Sequence, residues 1–286
     1  MKISIKQKLY SYKKHPFSFL LAVITHLAAL ITVSMALILV GYILIRGIPN
    51  IKPDLFAWKY TSKNVSMMPA IINTVTMTVL SLLFAVPIGV FSAIYLVEYA
   101  KRGSIIVKII RLTTETLAGI PSIVFGLFGY LIFVVAMNFN YSMLSGSLTL
   151  AIMILPTVMR TTEEALISVP DSYREGSFGL GAGRLRTVFR VVLPSAVPGI
   201  LSGVILSIGR IVGETAALIY TSGTVSGIPK SLLSSGRTLS VHMYALLSEG
   251  LYTEQAYATA VVLLILVLII NAISGYAAKK VSSKKG

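Results

Sequence analysis

Residues 173–194 read YREGSFGLGAGRLRTVFRVVLP. Long apolar runs lie on both sides, so the stretch is a loop at a membrane face. Glu175, Gly176 and Ser177 are followed after three residues by Gly181, and after nine more by Val191-Val192-Leu193-Pro194. A short helix, a flexible glycine and a second, basic helix suit a loop that a soluble partner grips and whose motion passes into the membrane. On this reading the chain is a moving part, half of a gate whose engine is another polypeptide.

Composition sets the surroundings of that loop. Of 286 residues, 55% are hydrophobic and 12% charged, and the mean hydropathy is +0.84. A soluble domain carries about 25% charged residues. Several apolar runs exceed the ~20 residues a helix needs to cross the hydrocarbon core. The fold class is therefore an all-α, polytopic membrane protein. A net charge of +15 in a soluble chain would point to nucleic acid. Here the basic residues gather in segments that stay on the cytoplasmic side. With no cysteine, disulfides and thiolate metal sites are excluded.

Residues 1–17 form a basic cytoplasmic arm, and the first span covers 18–46. Its apolar run is too long for a signal peptide, and no small-x-small cleavage site closes it. His26, the ionisable group in its interior, reads as hydrogen-bonded packing. In residues 47–66, Trp58 and Tyr60 suit the headgroup belt. The second run, Met67 to Val97, is long enough for Pro69 and Pro87 to mark a leading interfacial piece and a kink. Span three is expected from Thr113 to Ala136, with Gly119, Pro121, Gly126 and Gly129 allowing close helix approach. Span four runs from Leu148 to Ile167, span five from Val191 to Tyr220 and span six from Ala256 to Tyr276; residues 277–286 are a basic cytoplasmic tail.

Counting Lys and Arg orients the chain. With the N-terminus inside, cytoplasmic segments hold 18 and external segments six, with Arg210 inside span five. Six spans with both termini in the cytoplasm follow, and the 168–194 loop faces the cytoplasm. No internal repeat supports an inverted-repeat secondary transporter.

A basic loop has a plain explanation: Arg174, Arg184, Arg186 and Arg190 answer lipid phosphates. The joint spacing goes further. It resembles the EAA loop of the integral-membrane subunits of bacterial and archaeal ABC importers, in which Glu-Ala-Ala is followed by three residues, Gly, nine residues and an aliphatic-x-Leu-Pro. Glu175, Gly181, Val191, Leu193 and Pro194 match, while Gly176 and Ser177 stand for the two alanines. The resemblance implies six spans in the type I, MetI-like arrangement. It also implies a helix at about residues 172–180, with Tyr173 in its first turn, that docks on an ATPase subunit and couples nucleotide state to the gate.

The second constellation is Arg210-Ile-Val-Gly-Glu214. Four residues apart on a helix, the two side chains share a face and can pair. At ~1.5 Å per residue from Val191, Arg210 lies roughly 28 Å along span five. An intramembrane Arg or Glu costs ~2.5–3.5 kcal/mol on insertion scales, so a lipid-facing position is disfavoured. One reading is an ion pair locking span five to a neighbour. The other is a pore-lining anion site, in which Arg donates to oxyanion oxygens and Glu accepts from an anion that keeps a proton, such as hydrogen phosphate. One Arg with one Glu is near neutral, so a second cation from a partner subunit is needed.

IGRIVGETAALIYTSG (208–223), LAGIPSIVFG (117–126), RTTEEALISVPDSYREGS (160–177) and LSVHMYALLSEGLY (239–252) are similar to the PstA-type permeases of phosphate-specific transport systems. The similarity covers roughly residues 65–276. It implies a sister permease (PstC-like), a dimer of ATPase subunits (PstB-like) carrying the ATP and Mg, and an extracytoplasmic phosphate-binding protein (PstS-like), with no cofactor bound by this chain. It further implies a role for Arg210 and Glu214 in phosphate passage.

Arg160 can pair with Glu163 or Glu164 at the inner end of span four, as a solvated helix end or as part of an inner gate; Arg160 and Glu164 are candidates for the substrate path. Arg111 and Glu115 repeat the spacing at the expected start of span three, where a helix N-terminus favours Glu115. The 221–254 segment, with its amphipathic stretch 239–247, is a candidate for contacting the binding protein. No Gly-x4-Gly-Lys-Ser/Thr loop, His-Glu-x-x-His or nucleophile elbow occurs, so this chain is expected to be a transport subunit and not an enzyme. The alternatives are a permease for molybdate or sulfate, or an ATPase-independent channel or secondary transporter.

Overall fold

The computed structural model describes residues 16–101 and 103–283; the basic arm before residue 16, Arg102 and the last three residues lie outside the described residues. Described residues contain helices and no strand. Five helices are long and apolar enough to cross a membrane: α1 (Pro16–Gly47), α2 (Met68–Tyr99), α5 (Met143–Ile167), α7 (Arg184–Gly213) and α10 (Thr253–Ser283). A further apolar pair, α3 (Ile105–Ala118) and α4 (Ser122–Ala136), reaches spanning length only when the two are taken together across a sharp bend. The short helices are α6 (Asp171–Gly179), α8 (Ala216–Thr221) and α9 (Leu239–Glu249).

Helix α5 is the hub. It packs on α2 and α7, and Leu150, Met153 and Ile154 are inaccessible to solvent. Water cannot drive this packing inside a bilayer, so small residues at the crossings matter most. A Cβ at Gly203 would collide with Thr161 Oγ1, and one at Gly199 would sit 2.6 Å from the Ala165 Cβ. These contacts bring α7 onto α5. Gly126 and Gly129 press α4 against Ala217 and Thr149, as their spacing suggested. Gly119 does not take part: a Cβ there would meet Thr116 oxygen alone, at 3.6 Å.

Several boundaries differ from the sequence reading. Pro69 opens α2 instead of marking a separate interfacial piece, because the first turn has no use for its missing N–H. Pro87 lies within the helix without ending it. Span three bends by 105° where Gly119-Ile120-Pro121 interrupts the ladder. Apolar composition runs through this break, so hydropathy alone could not mark it. Glu115 consequently lies in the last turn of α3, not at a helix start. Span five ends at Gly213, and Glu214 is extended (φ −72°, ψ 131°) before α8 begins. His26 donates from Nδ1 to the Ala22 carbonyl at 2.6 Å, the local packing expected of it.

Candidate functional site

Helix α6 begins after Pro170 and presents most of its surface: Tyr173, Glu175, Gly176, Phe178 and Gly179 are exposed. A Cβ on Gly176 would meet nothing within 4 Å, so its small size answers no need inside this chain. The C-terminus closes in a Schellman arrangement. Gly181 N–H donates to Phe178 O at 2.9 Å and Ala182 N–H to Ser177 O at 3.1 Å, with Gly181 at φ +81°. A glycine adopts that left-handed conformation at no steric cost. Leu193 and Pro194 fall inside the continuous helix α7, about two turns or more past Arg184 and Arg186, which start it.

Two links tie this exposed helix to the bundle. Ser177 Oγ lies 2.9 Å from Thr187 Oγ1 on α7, so the departure from alanine makes a hydrogen bond. Arg174 does more. Its Nη2 donates to Glu98 Oε1 at 2.7 Å and to the Leu166 carbonyl at 2.9 Å; its Nη1 donates to the Val169 carbonyl at 2.8 Å and to Asp171 Oδ1 at 3.2 Å. Both members of the Arg174–Glu98 pair are largely covered, with side chains 15% and 9% exposed. One guanidinium therefore joins α6 to the ends of α2 and α5. Sequence reading placed Arg174 among lipid-facing cations; Glu98 is 76 positions away, and nothing local marks the pairing. Clefts of about 680 Å³ and 780 Å³ flank α6, the first lined by Glu98, Arg111, Arg174 and Phe178, the second by Tyr173, Phe189, Val191 and Pro194.

At the same end of the bundle, Arg160 Nε bonds Glu164 Oε1 at 3.1 Å, with both side chains more than 60% exposed. Such pairs contribute about 0–1 kcal/mol. Glu163 is taken by Arg111, which reaches across from α3 rather than pairing with Glu115 along its own helix.

The Arg210–Glu214 pairing does not form. The break after Gly213 takes Glu214 off the helical face, and its Oε1 accepts the Ala217 N–H at 3.0 Å, serving one of the open donors at the start of α8. Glu214 is 8% exposed. Arg210 sits half-buried in the last turn of α7, with no ion pair or hydrogen bond among the described residues.

The far end of the bundle holds a cluster that the sequence reading did not assemble. Tyr60, assigned there to the headgroup belt, instead packs between Arg237 and His242. The Arg237 guanidinium carbon lies 4.8 Å from its ring centre, and the His242 ring meets it edge-on at 6.1 Å. Within the 221–254 candidate for contacting the binding protein, helix α9, which contains the stretch 239–247, buries Leu239, Val241, His242, Ala245 and Leu246 against the bundle. Burial, and then the charge of Arg237, push His242 down to about 3. An unfolded histidine titrates near ~6.5, so His242 leaves stability whole above that pH and withdraws it as pH falls toward its folded value, about tenfold in the folding equilibrium per pH unit. The thermal midpoint of detergent-solubilised protein is expected to fall more steeply between about pH 6.5 and pH 4 than that of His242→Leu. Equal slopes for the two proteins would remove His242 from this account.

A long bundle with small-residue crossings and an exposed, tethered helix in one loop is the architecture of a transport permease. The family described as binding-protein-dependent transport system inner membrane component matches residues 85–283, and the chain belongs to it. It is 32% identical over 255 residues to the probable ABC transporter permease protein YqgI of Bacillus subtilis, covering 82% of this chain and 86% of that one. It is 35% identical over 233 residues to the phosphate transport system permease protein PstA of Pasteurella multocida, covering 80% and 82%. In fold it matches a chain of a bacterial alginate ABC transporter, solved with an alginate pentasaccharide-bound periplasmic protein, at a TM-score of 0.67, with 17% identity over 95% of this chain and 97% of that one. It is thus a multi-pass inner-membrane permease subunit of the ABC importer type.

Proposed function

We propose that this chain is the permease subunit of an ATP-driven importer that carries inorganic phosphate across the cytoplasmic membrane by alternating access. It pairs with a sister permease, an ATPase dimer holding ATP and Mg, and an extracytoplasmic phosphate-binding protein. The phosphate assignment follows the relatives named for phosphate transport. The observation that supports the mechanism is α6: exposed over most of its surface, yet bound through Arg174 to the ends of α2 and α5. With both termini and the 168–194 loop in the cytoplasm, ATPase closure pulls on Tyr173, Glu175, Gly176 and Ser177. Gly181 supplies the turn, and Leu193 and Pro194 carry the pull into α7. The helices then part toward the outside, phosphate passes Arg210, and hydrolysis reverses the motion to release it past Arg160 and Glu164.

The test is co-purification with the sister permease and the ATPases, followed by reconstitution in liposomes with the binding protein. Loaded phosphate-binding protein is expected to stimulate ATP hydrolysis and drive phosphate uptake, and molybdate or sulfate is not. A preparation that moves phosphate without any ATPase overturns the reading.

A further inference from the structure

Arg237 is 5% exposed, yet its Nε and Nη2 are sealed from solvent without a hydrogen-bond partner. These two nitrogens form the side-on edge of the guanidinium, the edge that grips two oxygens of a carboxylate or phosphate at once. No carboxylate among the described residues pairs with it. His242, inaccessible to solvent, has no side-chain partner for either ring nitrogen, and the group its ring faces is the backbone of Val65. The ring of Tyr60 joins the two, and contact with one aromatic face compensates only part of the hydration a buried guanidinium loses. What the cluster lacks is negative charge.

The backbone under it is firmly placed. Arg237 N–H donates to Val225 O at 3.0 Å, and Asn73 Nδ2 donates to Arg237 O at 3.1 Å. Leu239 N–H donates to Thr74 Oγ1 at 2.8 Å, and Ser240 Oγ to the Glu214 carbonyl at 2.5 Å. The turn that carries Arg237 is thereby bolted to α2 and to the break that follows Arg210. Residues 57–66 lie across it as a strap: Val65, at φ +47° and 2% exposed, packs with Leu246 and Ala256, and Tyr252 Oη donates to Ser62 O at 3.0 Å. A β-branched residue at positive φ is strained, and the burial of its side chain holds Val65 in that conformation.

We propose that Arg237 and His242 form a second anion subsite, for a tetrahedral oxyanion of the phosphate class, which takes the anion beside the Glu214 break before it reaches Arg210. The proposal rests on the phosphate reading above. The Arg237 edge grips two oxygens. A neutral imidazole supplies one donor and one acceptor, which fits an anion that still carries a proton. The strap bearing Tyr60 lifts to admit it, so the subsite is open only in part of the cycle.

The experiment uses the assembled permease–ATPase complex in detergent, without binding protein, in an Arg210→Gln background that silences the other site. Thermal unfolding is followed with millimolar inorganic phosphate against chloride at equal ionic strength. Phosphate is expected to raise the midpoint, Arg237→Gln to abolish the rise, and Arg237→Lys, which keeps the charge and loses the fork, to weaken phosphate binding by about tenfold or more. An unchanged phosphate response in Arg237→Gln, no response in the Arg210→Gln parent, or failure of both Arg237 variants to assemble overturns the subsite and leaves Arg237 a structural strut. Wild-type liposomes that import no phosphate instead fail the functional reading, so the two failures are separable.

Discussion

Arg210→Gln brings phosphate uptake by the reconstituted transporter down to background while the subunits still assemble. The expectation follows from the surroundings of the side chain. Arg210 stands half-buried in the last turn of α7, and Glu214 has turned away to serve Ala217 at the start of α8. Removing the guanidinium therefore strands no carboxylate among the described residues, and the packing of α7 on α5 through Gly199 and Gly203 is untouched. A passing anion, by contrast, loses a charge-assisted hydrogen bond of about 1.5–3 kcal/mol, a factor of about 10–100 in its occupancy of the path. Radiolabelled phosphate uptake measures the loss, and co-purification of the partners measures assembly. Normal uptake by Arg210→Gln would reject the anion role. Glu214→Gln serves as the contrast, because its amide oxygen still accepts the Ala217 N–H and α8 keeps its start.

Arg174→Gln is expected to separate ATP hydrolysis from transport. Wild-type Arg174 holds α6 to the ends of α2 and α5 through four partners, one of them the covered carboxylate of Glu98. Truncating one member of such a pair leaves a buried charge uncompensated, at about 3–5 kcal/mol. The local tether loosens, and a pull on α6 moves α6 without moving the spans. Phosphate imported per ATP hydrolysed should drop at least tenfold while ATPase activity persists. Glu98→Gln should be milder, since the carbonyls of Leu166 and Val169 still hold Arg174. The reversed pair, Arg174→Glu with Glu98→Arg, should recover only part of the coupling, because those carbonyls would then have no donor. A stoichiometry unchanged from wild type in Arg174→Gln would confine the residue to stabilising the fold.

Much of the architecture was legible from the chain. Apolar runs are a one-dimensional signal, and each expected span overlaps an apolar helix, although spans three, four and five begin five to eight residues earlier than expected and span five ends at Gly213 instead of Tyr220. The Glu175–Pro194 spacing likewise marked a short helix closed by Gly181, and that helix runs from Asp171 to Gly179. What failed were inferences that assumed helical continuity. Gly119-Ile120-Pro121 bends span three, and Glu214 leaves the helix that Arg210 ends. The first sits in apolar sequence, where hydropathy does not change, and the second falls inside a four-residue spacing that reads equally well as one helical turn.

By itself, then, the sequence determined that this is a multi-spanning helical permease with a short helix in the 168–194 loop, because transfer out of water and steric freedom at glycine depend on each residue and its near neighbours. Only the tertiary structure decided which charges meet. Arg174 with Glu98, Arg111 with Glu163, and Arg237 beside His242 under Tyr60 join segments far apart in the chain. An ion pair depends on separation in space and on how much water remains around it, and packing sets both.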